Sequence, residues 1–195
     1  MNIFEKEIIL ENDHVLLRNL RRSDIEELSK ITFDEEIWKY YPAIVTNEKE
    51  FEAWFNAMEK DYVAKTRIPF FVFDKRKNRA AGSTSYMNIA VNDKRLEIGT
   101  TWYGKDFRGT GLNKHCKFLL LDYAFNTLGC FRVEFKADNL NERSKSAMRK
   151  IGATEEGVFR SHMQMPYGRR RDTVYFSIIK SEWDTIKNNI FKELF

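Results

Sequence analysis

Two glycines, Gly109 and Gly111, lie in a short turn between a predicted strand and the longest predicted helix. Glycine adopts positive φ values readily and lets a ligand approach the main chain closely. The first N–H groups of a helix have no partner within the helix, and together with the helix dipole they favour an anion such as phosphate. Arg108 and Lys114 flank the turn and could add charged contacts. We therefore predict a phosphate site at residues 108–113.

Two common nucleotide-binding motifs do not fit this turn. A Walker loop requires Lys-Ser/Thr directly after the residues that Gly104 and Gly109 would supply, where this chain has Thr110-Gly111. The dinucleotide fingerprint requires a third glycine at the position of Lys114. Two alternatives remain, which are the pyrophosphate loop of an acetyltransferase and an ordinary strand-to-helix turn.

A second set of residues downstream favours the acetyltransferase. Asn141 to Ser144 reads Asn-Glu-Arg-Ser, Gly152-Ala153 follows it, and Glu156 to Arg160 reads Glu-Gly-Val-Phe-Arg. With the loop Asp106 to Gly111, these segments resemble the GCN5-related N-acetyltransferase superfamily, and especially its ribosomal-protein-alanine-acetyltransferase-like branch. The resemblance covers most of the chain, from residue 17 to residue 175.

The resemblance implies acetyl-CoA as co-substrate and no metal. The strand that ends at Thr101 and Trp102 would diverge from the strand over 131–136, and its unpaired backbone groups would bind the pantetheine arm as an added strand does. Asp106 stands where the family has Gln or Arg, so we expect no side-chain contact there. The pyrophosphate would contact the amides of the loop, at Arg108, Gly109, Thr110, Gly111, Leu112 and Asn113.

Transfer of an acetyl group to nitrogen requires a base for the amine proton and an acid for the leaving thiolate. We predict Glu97 as the base, directly or through water, with an ordinary polar strand residue as the alternative. Many members of the family use a tyrosine as the acid, but Met148 occupies that position here. The branch suggests Ser144 instead, with an exposed serine in the first helical turn as the alternative. The resemblance also assigns Asn141 and Ser144 to the cofactor site, and Asn141 could equally be a helix cap.

Composition excludes several classes of protein. The chain has 195 residues and a net charge of +4, and it lacks an Arg/aromatic nucleic-acid motif, so we do not expect it to bind nucleic acid. No apolar run approaches the ~20 residues of a membrane span. Cys116 and Cys130 form no disulfide framework, and Glu5 and Glu7 are atypical of a secretory signal. We therefore expect a cytoplasmic protein.

Other reactive or charged residues are expected to be structural. His14, His115 and His162 are too scattered in the sequence to predict a metal site. Cys116 is expected to be an inert, buried thiol within a helix. The run Arg169–Arg171 is predicted to be a solvated hairpin tip, with guidance of an acidic substrate as the alternative.

The pattern of elements predicts an α/β (α+β) fold, in which a mixed, mostly antiparallel central sheet splays in the middle and is flanked by helices. We expect one domain over residues 1–195, with its core at about 14–180 and a C-terminal helix at about 182–195. Apolar alternation and turn residues predict strands at 14–20, 68–73, 81–90, 96–103, 131–136, 156–165 and 173–179. Caps and 3.6-residue periodicity predict helices from Ser23 to Ile31, from Thr46 or Asn47 to about Tyr62, over 112–128, and from Asn139 or Asn141 to Gly152.

The acceptor is not determined by these patterns. The resemblance permits a protein N-terminus or a small-molecule amine, and either a monomer or a homodimer. Because Met148 lacks a hydroxyl group, a second function is kept open, namely a non-catalytic module on the same fold that binds acyl-CoA or RNA.

Overall fold

The computed structural model describes residues 3–195. Eight strands form one sheet in the order β1-β2-β3-β4-β5-β6-β8-β7. The strands are β1 (Ile9–Glu11), β2 (Val15–Asn19), β3 (Arg67–Asp74), β4 (Arg79–Ala90), β5 (Arg95–Tyr103), β6 (Arg132–Asp138), β7 (Thr154–Gln164) and β8 (Arg170–Ile179). The helices are α1 (Ile25–Thr32), α2 (Glu35–Trp38), α3 (Glu48–Val63), α4 (Leu112–Asp122), α5 (Glu142–Lys150) and α6 (Lys180–Ile190).

The sheet splays between its two central strands. β5 and β6 are parallel neighbours, and they pair only from Arg95 to Glu97 and from Arg132 to Glu134. The other neighbouring strands pair in antiparallel fashion. Register shifts interrupt the pairing of β5 with β4, and Thr100 in β5 has a positive φ of 48°. Such irregularities bend a strand, which accounts for the divergence of β5 from β6. The predicted fold class is therefore confirmed.

Both faces of the central sheet are buried. In β3, Phe70 and Val72 belong to a large core beneath α4 and α6, whereas Phe71 belongs to a second core beneath α1 and α3. Successive strand residues point to opposite faces, so a run of apolar residues in β3 serves both cores. Among residues 3–195, no helix is both long and apolar enough to span a bilayer.

Several element boundaries differ from the prediction. The first helix does not start with a Ser23 cap, because the carboxylate of Asp24 accepts the Arg21 N–H (2.8 Å) and a 3-10 turn precedes α1. The predicted helix over 112–128 is regular only to Asp122 and continues as a π-helical turn over Tyr123–Thr127. The C-terminal helix ends at Ile190 and not at residue 195, and a 3-10 turn follows it. Strand β1 and helix α2 were not predicted.

Candidate active site

The loop between β5 and α4 forms an open main-chain cradle, defined here as residues 109–113. Gly109 and Gly111 have φ values of +74° and +86°, which glycine adopts without steric cost. A Cβ atom built on either glycine would have no heavy atom within 4 Å. The glycines are therefore required by the backbone conformation, and the space above them is open.

The N–H groups of the cradle have no acceptor within residues 3–195. The first N–H groups of this segment to be paired are those of Lys114 and His115, which both donate to the carbonyl of Gly111. Gly111 precedes α4 directly, so the unpaired donors lie at the positive end of the helix dipole. This arrangement is suited to an anionic group.

Charged side chains beside the cradle are already paired within the chain. The Arg108 guanidinium forms an ion pair with Asp34 and donates from Nε to the carbonyl of Tyr103 (3.0 Å). Burial disfavours the charged Asp34 carboxylate, but hydrogen bonds from the Glu36 N–H and from Arg108 lower its pKa. Lys114 forms an ion pair with Glu193. We predicted charged contacts from Arg108 and Lys114 to a phosphate, and in this structure both side chains are ion-paired within the chain. The unpaired donors of the loop are its backbone N–H groups.

The edge of β5 that faces the splay has no strand partner beyond Glu97. The Thr101 hydroxyl is hydrogen-bonded to the Thr84 hydroxyl (2.7 Å), and the Trp102 side chain is buried in the core beneath α1 and α3. What these two residues can offer a ligand in the splay is therefore their main chain. Two surface cavities lie near this region. One of about 700 Å³ is lined in part by residues 105–108, and one of about 410 Å³ is lined in part by Thr100 of β5.

Glu97 lies at the vertex of the splay, where the pairing of β5 with β6 ends. It is 4% exposed, and its carboxylate accepts hydrogen bonds from Asn88 Nδ2 (2.6 Å) and Lys136 Nζ (2.8 Å). Burial disfavours the charged Lys136 ammonium, but the contact with Glu97 more than offsets this and raises the pKa of Lys136. Glu97 is thus a buried, ion-paired carboxylate at the narrow end of the splay.

The N-terminus of α5 carries the other predicted residues. The Asn141 side-chain oxygen accepts the Ser144 N–H (3.0 Å), so Asn141 caps the helix. Its side-chain NH₂ group and the Ser144 hydroxyl make no hydrogen bond within residues 3–195, and both residues are half-buried. Met148, one turn after Ser144, packs in the core beneath α4 and α6. Of these side chains, only Asn141 and Ser144 keep polar groups available for a ligand.

Lys117 was missed by the sequence analysis. It is 6% exposed in the middle of α4, donates from Nζ to the Thr101 hydroxyl (3.0 Å), and lies 5.8 Å above the centre of the Phe135 ring. It therefore bridges β5 and β6 across the splay, and burial lowers its pKa to about 8. The position of this lysine among the apolar residues of α4 was the sequence feature that could have predicted its burial. The neighbouring Cys116 is buried, and burial raises the pKa of its thiol to about 12, which fits an inert thiol.

The run Arg169–Arg171 is not a solvated tip. Arg169 forms an ion pair with the buried carboxylate of Asp138, and Arg171 is 7% exposed. Only Arg170 is exposed. The sequence feature that could have predicted this is the spacing of Arg171, Thr173 and Tyr175 at every second position, which places them on one face of β8.

Two of the three histidines are also closer than expected. The rings of His14 and His115 lie 4.2 Å apart, and His115 Nδ1 is 3.1 Å from the Asn12 side-chain nitrogen. Burial and the neighbouring His14 lower the pKa of His115. Within residues 3–195, no group of three or more His, Cys, Asp and Glu side chains could hold a metal ion.

Residues 14–154 match the family model of the acetyltransferase (GNAT) domain. This chain belongs to the GNAT acetyltransferase family. The match covers both the cradle and the N-terminus of α5. The family predicted from the sequence is therefore confirmed, and with it the enzyme class of acyltransferase.

Known relatives agree with this assignment. The chain is 28% identical over 188 residues to a Bacillus subtilis protein, "Putative ribosomal N-acetyltransferase YdaF", with 89% of this chain and 95% of that protein covered. A GCN5-related N-acetyltransferase from Brucella melitensis superposes with a TM-score of 0.87 at 30% identity, covering 97% of this chain and 86% of that one. Spermidine N-acetyltransferase from Vibrio cholerae, solved with CoA and spermine, shares the fold with a TM-score of 0.72 at 20% identity, covering 88% and 99%.

Proposed function

We propose that this chain is an acetyl-CoA-dependent N-acetyltransferase that moves the acetyl group directly to a primary amine. The observation that carries the proposal is the continuity of two unpaired backbone surfaces. The free edge of β5 begins at Glu97 and leads into the open cradle at residues 109–113. A ligand with an amide-containing arm and a diphosphate matches both surfaces, because strand edges bind extended amides and helix N-termini bind phosphates.

The cofactor-binding residues proposed from this geometry act mainly through the main chain. The N–H groups of the cradle would bind the pyrophosphate, and β5 at Thr101 and Trp102 would bind the pantetheine arm. At the N-terminus of α5, the unused NH₂ group of Asn141 would bind the same arm while its oxygen caps the helix. The full set comprises Thr101, Trp102, Arg108, Gly109, Thr110, Gly111, Leu112, Asn113, Asn141 and Ser144.

The proposed chemistry forms one bond from nitrogen to the acetyl carbon and breaks the bond from that carbon to sulfur. Glu97 takes the amine proton, directly or through water, and accepting it weakens the ion pair with Lys136. The Ser144 hydroxyl donates to the leaving thiolate, which its rotating O–H can reach. Solvent returns a proton to Ser144 as the thiolate is protonated, so the products are the amide, the CoA thiol and the regenerated serine. No step in this sequence requires a metal.

Similar proteins and the buried cysteines also support the proposal, independently of the geometry of the site. The Vibrio cholerae structure holds CoA and spermine on this fold, and the Bacillus subtilis relative is described as ribosomal, so both small amines and protein N-termini remain candidate acceptors. Cys116 and Cys130 are buried thiols, which fits the cytoplasmic location that we propose. We also propose that residues 1–195 form one domain, because one sheet extends from β1 to β7.

Gly109→Trp tests the cradle. An indole at this position would fill the open space, and we expect acetyl-CoA affinity in calorimetry to fall by at least about a hundredfold, as loss of most phosphate contacts requires. Gly129→Trp is the matched control, because Gly129 also has a positive φ (+68°) and open space around its Cβ position. Similar melting temperatures for the two variants, with binding lost only at Gly109, support the site. Retained tight binding in Gly109→Trp contradicts it.

Release of free thiol separates the enzyme from a binding module. Wild-type protein is incubated with acetyl-CoA and a panel of peptides, amino acids and polyamines. Thiol release that depends on an added amine supports the transferase. Tight acetyl-CoA binding without thiol release for any amine, or salt-dependent binding to RNA, favours the non-catalytic module instead.

A further inference from the structure

Arg171 is a buried guanidinium without a partner. Its residue is 7% exposed, its side chain makes no hydrogen bond or ion pair within residues 3–195, and its Nε atom is fully buried and unsatisfied. Arginine keeps its charge in proteins and carries donors in a planar fork that matches a carboxylate. A buried polar group is normally hydrogen-bonded, so this guanidinium requires an explanation.

The neighbouring charges on this sheet face are matched to one another. Glu97 pairs with Lys136, and Asp138 pairs with Arg169. Each of the two carboxylates, Glu97 and Asp138, is thus already paired with another cation. Arg171 has no carboxylate partner within residues 3–195. Burial lowers the pKa of Arg171, and the fields of Asp138 and Glu97 offset this only in part. One additional anion, bound from outside the chain, would neutralise the charge of Arg171.

A second buried polar group without a hydrogen-bond partner lies near Arg171 on the same strand. The hydroxyl of Thr173 is buried and has no hydrogen-bond partner within the described residues. Thr173 is two residues after Arg171 in β8, so both side chains project from the same face of the sheet. That face also carries Glu97, since the register joins Glu97 to Glu134 and Glu134 to Ser177. The two unsatisfied groups therefore belong to the face on which the proposed base lies.

We infer that Arg171 and Thr173 bind a carboxylate carried by the acceptor, so that the acceptor is an amine with a carboxylate group, such as an amino acid. The inference rests on the proposed function. A carboxylate that accepts two hydrogen bonds from Arg171 and one from the Thr173 hydroxyl would give both unsatisfied groups a partner. A polyamine would instead bring a second cation toward an unpaired guanidinium. The cradle leads into α4, which packs on the sheet face of Val174 and Phe176, opposite to the face of Arg171. The two anion sites are therefore separate.

The test compares amines that differ only in the carboxylate. Thiol release from acetyl-CoA is measured with the common L-amino acids, with their C-terminal amides, and with peptides whose second residue is Asp or Asn. We expect kcat/KM for the best acid to exceed that for its matched amide by at least about a hundredfold. A preference confined to free amino acids, or to the Asp peptides, identifies the source of the carboxylate. Equal use of acids and amides, or a preference for polyamines, overturns the inference.

Variants at Arg171 assign the preference to this residue. Arg171→Met should lower kcat/KM for the acid to the level measured for the matched amide with the same variant. Arg170→Met is the matched control, because Arg170 is the exposed neighbour on the opposite face, and it should retain the preference. A purely structural Arg171 predicts a lower melting temperature for Arg171→Met, whereas a retained or higher melting temperature supports a binding role. Retained discrimination in Arg171→Met overturns the assignment.

A binding measurement keeps the inference independent of turnover. In the presence of CoA, a mixture of N-acetyl-L-amino acids should raise the melting temperature of the wild type more than the matching mixture of amides does. Arg171→Lys should reduce this difference, and Arg171→Met should abolish it. If the wild type shows no difference between the mixtures, the inference fails even where acetyl-CoA binding and thiol release succeed.

Discussion

Lys117 and Arg171 are two buried cations beside the splay, and they lie on opposite faces of the sheet. Lys117 reaches up from α4 to the Thr101 hydroxyl on the face of the larger core. Arg171 lies in β8 on the face of Glu97, and nothing in residues 3–195 bonds its side chain. Neither cation has a carboxylate from the described part of the chain in direct contact.

The difference between the two cations is chemical. A lysine ammonium can lose its proton when it is buried, and it can satisfy itself with a hydroxyl acceptor, whereas a guanidinium stays charged. Lys117 can therefore become neutral by losing its proton, without a ligand. Arg171 cannot lose its charge, so only a bound anion can neutralise it. This comparison sharpens the proposal that a charged acceptor binds on the face of Arg171.

The largest effect is expected from the protonation of Lys117. Its pKa is about 8 in the folded chain and 10.5 as the ordinary value. Between these pH values the unfolded chain binds more protons, so the free energy of unfolding of the wild type should rise with pH relative to that of Lys117→Met. A shift of this size corresponds to a rise of up to about 3 kcal/mol. Urea denaturation at intervals from pH 7 to 10.5 measures it.

Lys117→Arg is the control for this titration, because a guanidinium does not lose its proton in that range. Its stability relative to Lys117→Met should stay flat from pH 7 to 10.5. A flat difference for the wild type as well would show that Lys117 keeps its proton, and the contrast with Arg171 would then disappear.

The next effect concerns the proposed base on the opposite face. Glu97→Gln keeps the shape of the side chain and the hydrogen bond from Asn88 but cannot take a proton, so we expect kcat to fall about a hundredfold, as for loss of a general base. The affinity for acetyl-CoA should not change. Glu156→Gln serves as the control, because Glu156 is an ion-paired carboxylate at the sheet edge. An unchanged kcat for Glu97→Gln assigns proton transfer to water or another group.

The smallest effect is expected at α5. Ser144→Ala removes the hydroxyl proposed to protonate the thiolate, and we expect kcat to fall about tenfold, because a thiolate is a good leaving group even without a proton donor. Ser146→Ala, two residues further along the same helix and on a different face, should retain full activity. Equal rates for the two variants would limit Ser144 to the cofactor contact.

Prediction from sequence succeeded where the pattern was local. Apolar segments bounded by turn residues located β3 and β5, and the side-chain oxygens of Asn47 and Asn141 act as helix caps as predicted. It failed where a side chain chose a partner distant in the sequence. The ion pair between Arg108 and Asp34, which are 74 residues apart, is one contact that the sequence analysis did not find.

The same limit applies to the candidate site. The cradle follows from two glycines and a helix start, which are properties of a short segment. The paired charges around Arg171 come from β5, from β6 and from Arg169 just before β8, and their pairing depends on the register of those strands.

The amino-acid sequence by itself determined the order of the longer elements, the position of the glycine loop and the family, because these depend on neighbours within a few residues. Only the tertiary structure decided that Lys117 and Arg171 are buried, that they lie on opposite faces, and that one has a hydroxyl partner while the other has none. The physical reason is that desolvation and charge pairing are set by groups that meet through folding, and a charge is compensated only by what lies next to it in space.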